Sequence, residues 1–545
     1  MFQSSLVPPL AAVPVRQLVV VLAVLAVGVA ARRLVGDRLA APLRRRLLLG
    51  VPWGTLLTAA GVLAIYLFVQ RAFWHADLLV IPFRTWSYFY PVGMLMGPFT
   101  HGSVSHVTGN LMGTLVYGTV VEYVWGHYPQ RRGESSFGSL RTNPFARILA
   151  VPVVMVVVGV FTGVFALGPI VGFSGVVFAL AGFALVTRPY LFLGGLLSSQ
   201  VLGLVYRAIL SPEPTVGGSI QYVTPPWANI AIQGHAIGLL AGVFLGTILL
   251  YVRSERPDPS KVFFATLVFA VVQGLWAVYL PLGGGRYTLF RWLGTALVFL
   301  LALLVAAATI YTDRRALPDF DGGWPSVAGF ALLVALAALC LGSVPINSAM
   351  LDDGDLPEDG VQVRDYVVTY EEDVRNAYFD SMPLPQTAPS NVTESGVVVA
   401  SADREIWWVA VSRTQLAVNG RATVVLGGLD WREPVAVNRT GWSVSGNDSV
   451  YSVALTPAGR QPETVYQSSP STVDGTLAGR NVTLRPVGSG FEVAVRENGS
   501  VVDRGPVPAN LSTRRIGGLT FERNRSRLYA GTNDTRLVVA RAQGA

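Results

Sequence analysis

Val171-Gly-Phe-Ser-Gly-Val176 sets a serine between glycines at the head of an apolar run that continues to Arg188-Pro189. Such a hydroxyl is either a nucleophile or a small residue that lets two helices approach closely. Taken alone, G-x-S-G in an apolar helix reads as packing, so the surroundings must decide. The 545-residue chain is 51% hydrophobic and only 14% charged, with a mean hydropathy of +0.48. Those values point to a polytopic membrane protein. Residues 1–346 hold 22 Lys+Arg against 10 Asp+Glu, and residues 347–545 hold 19 against 23. The positive excess therefore lies in loops between apolar segments and reads as membrane topology rather than nucleic-acid binding. Cys340 is the single cysteine, which excludes an intramolecular disulfide and a cysteine metal cluster.

Working outward from Ser174, apolar spans are predicted at about 15–31, 47–70, 105–125, 148–167, 174–188, 190–210, 228–252, 262–280, 289–311 and 327–344. The first run is followed, not preceded, by its basic cluster (Arg32, Arg33, Arg38, Arg44, Arg45, Arg46), unlike a signal peptide. If the spans alternate, that cluster and those at Arg131–Arg147, Arg253–Lys261 and Arg314-Arg315 share one side. The positive-inside rule makes that side cytoplasmic and both termini extracytoplasmic. The aromatic stretch 71–97 is too broken for a simple span and is expected to form an interfacial or partly re-entrant outer loop. Residues 347–396 are expected to be an acidic linker with some helix. Short alternating runs from about residue 397, such as Ile406–Ser412 and Phe491–Val495, predict a small all-β, sandwich-like domain through residue 545. Eight N-x-S/T sequons fall in this C-terminal part, at Asn391, Asn438, Asn447, Asn481, Asn498, Asn510, Asn524 and Asn533. With the region placed outside, they are candidate glycosylation sites.

Ionisable and polar groups inside a membrane are costly and are functional candidates by default. His106 and His235 lie within apolar spans, His101 lies at the outer mouth, and His127 closes a span on the inner side. His75 reads as an interfacial residue. Ser174 precedes Arg188 by 14 residues, a rise of about 21 Å in a helix. Against a hydrocarbon core of about 30 Å, that puts it roughly 9 Å below the outer surface. His235, His106 and Asn110 fall at a similar depth. His106 and Asn110, four apart, share a helix face. Gly238 and Gly242 share one with His235 and permit close helix approach, which would bring Ser174 within reach of its imidazole. A neutral imidazole can take the serine proton, and His106, Asn110 and the Ser174 amide could serve a developing oxyanion. Each part has a plain packing reading; the combination is what points to chemistry.

The set His101-x4-His106-x3-Asn110, Gly172-Phe-Ser174-Gly175 and His235-x2-Gly238-x3-Gly242 resembles the rhomboid intramembrane serine proteases. The likeness covers about residues 45–253. It implies a six-helix core, flanked here by one extra N-terminal helix (1–44) and three C-terminal ones (254–346). It further implies a Ser174–His235 dyad without an aspartate and an oxyanion site at His106, Asn110 and the Ser174 amide. Phe178 matches the aromatic position that packs on the histidine, and His101 a supporting position. Two departures are visible. The Trp-Arg pair common in the first outer loop is missing, with Phe83-Arg84-Thr-Trp86 only loosely similar, and Gly234 stands where alanine is common. The implied substrates are transmembrane segments of other proteins in the lipid bilayer, cut near the outer leaflet, with no metal, cofactor or nucleic acid. An idle rhomboid-like scaffold and a transporter or receptor are the other readings. The intact Ser174/His235 pair weighs against the first and the scarcity of carboxylates in the spans against the second.

Overall fold

Backbone in lipid must satisfy its hydrogen bonds internally, so long uncharged apolar runs become helices. The computed structural model describes residues 29, 33, 41–129, 132–210, 231–281, 287–310, 324–375, 393–446, 448–532 and 535–543. The expected span at 15–31 lies outside these residues except for Val29, as do Asn391, Asn447 and Asn533. The helices are α1 (Trp53–Ala64, continued by a π-turn at Ile65–Val69), α2 (Pro91–Met96), α3 (Val104–Trp125), α4 (Pro144–Val164) and α5 (Ser174–Thr187). There follow α6 (Pro189–Leu210), α7 (Ile232–Arg253), α8 (Pro259–Val272), α9 (Arg291–Ala308) and α10 (Trp324–Asn347). Side chains of Ser103, Asn143 and Asp258 cap α3, α4 and α8, satisfying first-turn amides. Five of the described helices, α4, α6, α7, α9 and α10, are long and apolar enough to cross a membrane. The chain is a multi-pass membrane protein.

The bundle is drawn together by missing side chains. A Cβ on Gly238 would lie 2.1 Å from the Gly175 carbonyl oxygen, and one on Gly242 would lie 1.9 Å from that of Ala179. One on Gly182 would lie 2.3 Å from the carbonyl of Leu239. Helices α5 and α7 therefore run backbone against backbone. Gly113 of α3 seats Val177, and Thr162 of α4 sits against Gly175, so α5 is enclosed on several sides.

The end of the bundle away from Ser174 is arginine-rich. Arg46, Arg147 and Arg253 converge on the C-terminus of α3, donating to the carbonyls of Val124, Trp125 and Gly126, where cations offset the helix dipole. Beside them Glu122 is fully buried. It accepts from the Gly54 amide (2.8 Å), the Thr55 amide and hydroxyl (both 2.7 Å) and His127 Nε2 (2.7 Å). The Leu48 amide donates to His127 Nδ1 at 2.8 Å, which leaves the imidazole proton on Nε2 facing the carboxylate. Glu122 thus caps the first turn of α1.

Two expected boundaries are corrected first. The span predicted at 262–280 is helical only to Val272, because Gly274 takes φ 70° and ends the helix; Tyr279–Pro281 (β1) then pairs with Tyr287–Leu289 (β2). The acidic stretch 347–396 is more than a linker: among its described residues a 3-10 turn at Asp353–Asp355 is followed by strands. It supplies β3 (Val361–Val363) and β4 (Tyr366–Arg375), which join β5 (Thr393–Ser401) and β6 (Ile406–Ser412) in one antiparallel sheet. The high acid content hid a run of buried residues, Val361, Val363, Tyr366, Val368 and Tyr370.

The separate β-rich region is also more than one small sandwich. After the short helix α11 (Arg413–Asn419) come β7 (Arg421–Gly427), β8 (Arg432–Val444), β9 (Ser449–Pro457) and β10 (Glu463–Gln467). Next are β11 (Ser471–Thr472), β12 (Arg480–Val487), β13 (Gly490–Glu497) and β14 (Ser500–Pro506), which form a four-stranded sheet. Last are β15 (Ser512–Ile516), β16 (Leu519–Asn524), β17 (Arg527–Gly531) and β18 (Arg536–Gln543). An eight-stranded sheet runs β10-β9-β8-β18-β17-β16-β15, with β7 also on β8. One end of it packs on the β3–β6 sheet and the other on the β11–β14 sheet, giving two hydrophobic cores.

The first of those cores takes in residues from the loop between α1 and α3. Ile81, Trp86 and Tyr90 are buried among Val361, Tyr366, Val399 and Leu426, and Leu79 and Phe83 pack with Val425. Ser87 Oγ donates to the Ala349 carbonyl at 2.7 Å, and Arg404 Nη1 to the Tyr90 hydroxyl at 3.1 Å. Within the aromatic stretch 71–97, residues 77–97 form the floor on which the β-rich region stands.

Candidate active site

Ser174 is the first residue of α5, so the unpaired amides of that helix terminus face the same space as its hydroxyl. The approach is an irregular segment, 166–173, made possible by Gly172, whose φ of 123° is hostile to any side chain. A Cβ there would also lie 2.6 Å from His106 Nε2 and 3.5 Å from Asn110 Nδ2. The glycine thus lets both side chains of α3 close on the backbone just before the serine.

Ser174 Oγ lies 2.8 Å from His235 Nε2. The imidazole stacks on Phe178, with ring centroids 4.1 Å apart and planes 14° from parallel. Phe178 is braced edge-on by Phe269 of α8 at 5.3 Å. Nδ1 of His235 is buried, with no hydrogen-bond partner among the described residues. Among the described residues the pair therefore has a base and a stacking support but no carboxylate behind the base.

His101 and His106 meet edge to face at 5.0 Å. His101 Nε2 lies 3.0 Å from Asn110 Nδ2 and accepts from the Phe173 amide at 3.4 Å. As acceptor for both, it joins α3 to the residue preceding Ser174. Gln70, at the end of the α1 π-turn, clamps the His101 backbone, donating to its carbonyl at 2.8 Å and accepting from its amide at 2.7 Å.

The structure thus gathers Ser174, His235, His106, Asn110, His101, Gly172 and Phe178 in one place, with Gly175, Gly238 and Gly242 in the helix contact beneath. His127 is remote, in the Glu122 network, and His75 is exposed on the loop. Asn438, Asn481, Asn498, Asn510 and Asn524 are all exposed on the β-rich region. Two supporting residues escaped the sequence reading. Gln70 is one. Gln233 is the other: its Oε1 accepts from the Leu167 amide (2.9 Å), and its Nε2 donates to the carbonyls of Phe165 (2.7 Å) and Leu339 (2.8 Å). It fixes the first turn of α7 to the end of α4 and to α10. A glutamine at the edge of an apolar span was the available signal for both.

A recessed serine–imidazole pair at one end of a glycine-packed bundle defines this as a multi-pass membrane protein with a polar site among its helices. Residues 82–252 match the family model described as Rhomboid domain. That match covers the helical core from the loop before α2 through α7 and supports membership of the rhomboid family, which is composed mostly of intramembrane serine proteases. The match begins within the loop after α1. No curated protein and no solved structure matches the chain.

Proposed function

We propose that the rhomboid domain is an active serine endopeptidase that cleaves transmembrane segments of other membrane proteins. The observation that carries this reading is the 2.8 Å contact between Ser174 Oγ and His235 Nε2. With its proton on Nδ1, His235 accepts the serine proton at Nε2 while Oγ bonds to the scissile carbonyl carbon. Negative charge gathers on the carbonyl oxygen, where the Ser174 amide, His106 and Asn110 are the donors at hand. The imidazolium returns the proton to the leaving amine as the C–N bond breaks. Water, deprotonated by the same imidazole, then releases the acyl group and restores Ser174. The stacked Phe178 ring holds the imidazole plane, a task that a carboxylate performs in triads.

The site geometry also selects the substrate state. A helical backbone hides its carbonyls in i→i−4 bonds, so the segment must unwind before one can enter. Segments with small or helix-breaking residues near the β-region end of the bundle are the expected substrates. The arginines gathered at the other end support a cytoplasmic position for that end and an extracytoplasmic β-rich region. Exposure of the described sequon asparagines fits glycosylation there.

The test compares wild type with Ser174→Ala in cells carrying tagged single-span reporters, with fluorophosphonate labelling in parallel. Cleavage and labelling are expected in the wild type and in neither case with the variant. Cleavage that persists without Ser174 refutes the dyad; absence of both activities from the wild type supports the scaffold reading.

A further inference from the structure

Segment 168–172, which leads through Phe173 into Ser174, has little hydrogen bonding of its own, and loop 84–97 supplies partners for it. Arg84 Nη1 donates to the Pro169 carbonyl at 2.9 Å, and the Thr85 amide to the Ile170 carbonyl at 3.2 Å. Thr85 Oγ1 donates to the Gly168 carbonyl at 3.0 Å, and the Gly172 amide donates to the Gly97 carbonyl at 2.9 Å. The path of the chain into Ser174 is therefore held in part by a loop that belongs to neither α4 nor α5.

That loop is held in turn by the β-rich region. The Arg84 guanidinium lies over the ring of Trp408 in β6, 4.5 Å from its centroid, and Trp86 meets the same ring at 6.0 Å. Arg84 Nε is buried, with no hydrogen-bond partner among the described residues. The Pro169 carbonyl and the face of Trp408 are the groups that offset the cost of burying this cation. Moving Trp408 frees Arg84, and Arg84 is one hydrogen bond from the nucleophile loop.

We propose that the β-rich region is a working part of the active site: Trp408 holds Arg84, and Arg84 is a positioning residue that keeps segment 168–172, and with it the Ser174 amide, in catalytic register. The inference rests on the protease reading above. It makes the extra domain a determinant of turnover rather than only of substrate capture. A ligand or partner that shifts β6 would act on catalysis through the same two side chains.

The experiment uses full-length protein in detergent micelles or liposomes and measures kcat, KM for a single-span reporter, the rate of fluorophosphonate labelling, and the thermal midpoint. Trp408→Leu keeps apolar bulk but removes the ring face, Trp408→Tyr keeps a face, and Arg84→Lys keeps the charge without the planar fork. Phe521→Ala, buried in the other β core, is a control for destabilisation alone. Trp408→Leu and Arg84→Lys should each lower kcat and labelling by about 10- to 100-fold, the scale set by sub-ångström to ångström misplacement, with KM within about twofold. Trp408→Tyr should recover most of the loss, and Phe521→Ala should lower the midpoint without changing kcat. Equal kcat for Trp408→Leu and Trp408→Tyr, or a loss in Phe521→Ala matching that in Trp408→Leu, overturns the proposal. If Trp408→Leu does not fold, Arg84→Lys decides: wild-type kcat there overturns it equally. Wild-type protein that neither cleaves nor labels refutes the protease reading instead, before any variant is compared.

Discussion

Helices α5 and α7 meet with almost nothing between them, since Cβ atoms on Gly238 and Gly242 would fall 2.1 Å and 1.9 Å from facing carbonyl oxygens. Loop 77–97 meets the β-rich region through some of the largest side chains in the chain, Trp86, Tyr90, Trp408 and Tyr366. The contrast follows from the solvent. Lipid is as apolar as leucine, so burying large side chains between helices gains little there, and association depends on close backbone packing. In water, each apolar ring removed from solvent is favourable in proportion to its area. Small residues hold the reacting pair together inside the bundle, and large ones hold the frame around it.

The largest effects should come from the backbone contact. Gly242→Leu has no space for any side-chain rotamer and should abolish folded protein: no monodisperse peak in detergent and no fluorophosphonate labelling. A folded, labelled Gly242→Leu would mean that α5 and α7 can separate and that the glycine contact is not required. Next is the buried polar joint at the arginine-rich end. Glu122→Ala leaves the Gly54 and Thr55 amides and His127 Nε2 without an acceptor, at a cost of about 4 kcal/mol. Chemical denaturation in mixed micelles should show it. A loss below about 1 kcal/mol would mean that water reaches these donors and that this joint resembles the aqueous seam more than the lipid-embedded one.

The two regions were not equally legible beforehand. Ser174, His235, His106 and Asn110 stand out in sequence because a polar group in lipid must have a reason, and helical spacing alone puts His106 above Asn110. The helices themselves follow from hydropathy, except where Gly274 stops α8 short of the apolar run. Loop 77–97 carried no such signal. Trp86 and Tyr90 look the same whether they rest at a membrane surface or in a hydrophobic core, and their partners lie some 270 or more residues away. The strands in 361–375 were hidden by the acids around them. Gln70 and Gln233 were readable in principle, as amides at the ends of apolar spans. Thr85 was not, because a threonine in a loop predicts nothing about which carbonyl it will meet.

The aqueous seam can be graded. Trp86→Ala removes a ring only 1% exposed and should cost about 3 kcal/mol, the range for emptying a buried aromatic position. Differential scanning fluorimetry should show it as a lower midpoint for the β-rich region. Tyr90→Phe is finer. It keeps the ring in the core and deletes only the hydroxyl that accepts from Arg404 Nη1 at 3.1 Å. Arg404 retains Asp365, with which it is paired, so the guanidinium is not left bare. The expected loss is about 1 kcal/mol, well below that of Trp86→Ala. The ratio of the two is the informative quantity. If deleting one hydroxyl costs as much as deleting the indole, polar bonds rather than ring burial hold the seam, and the contrast with the helix bundle would then be one of hydrogen bonding instead of solvent.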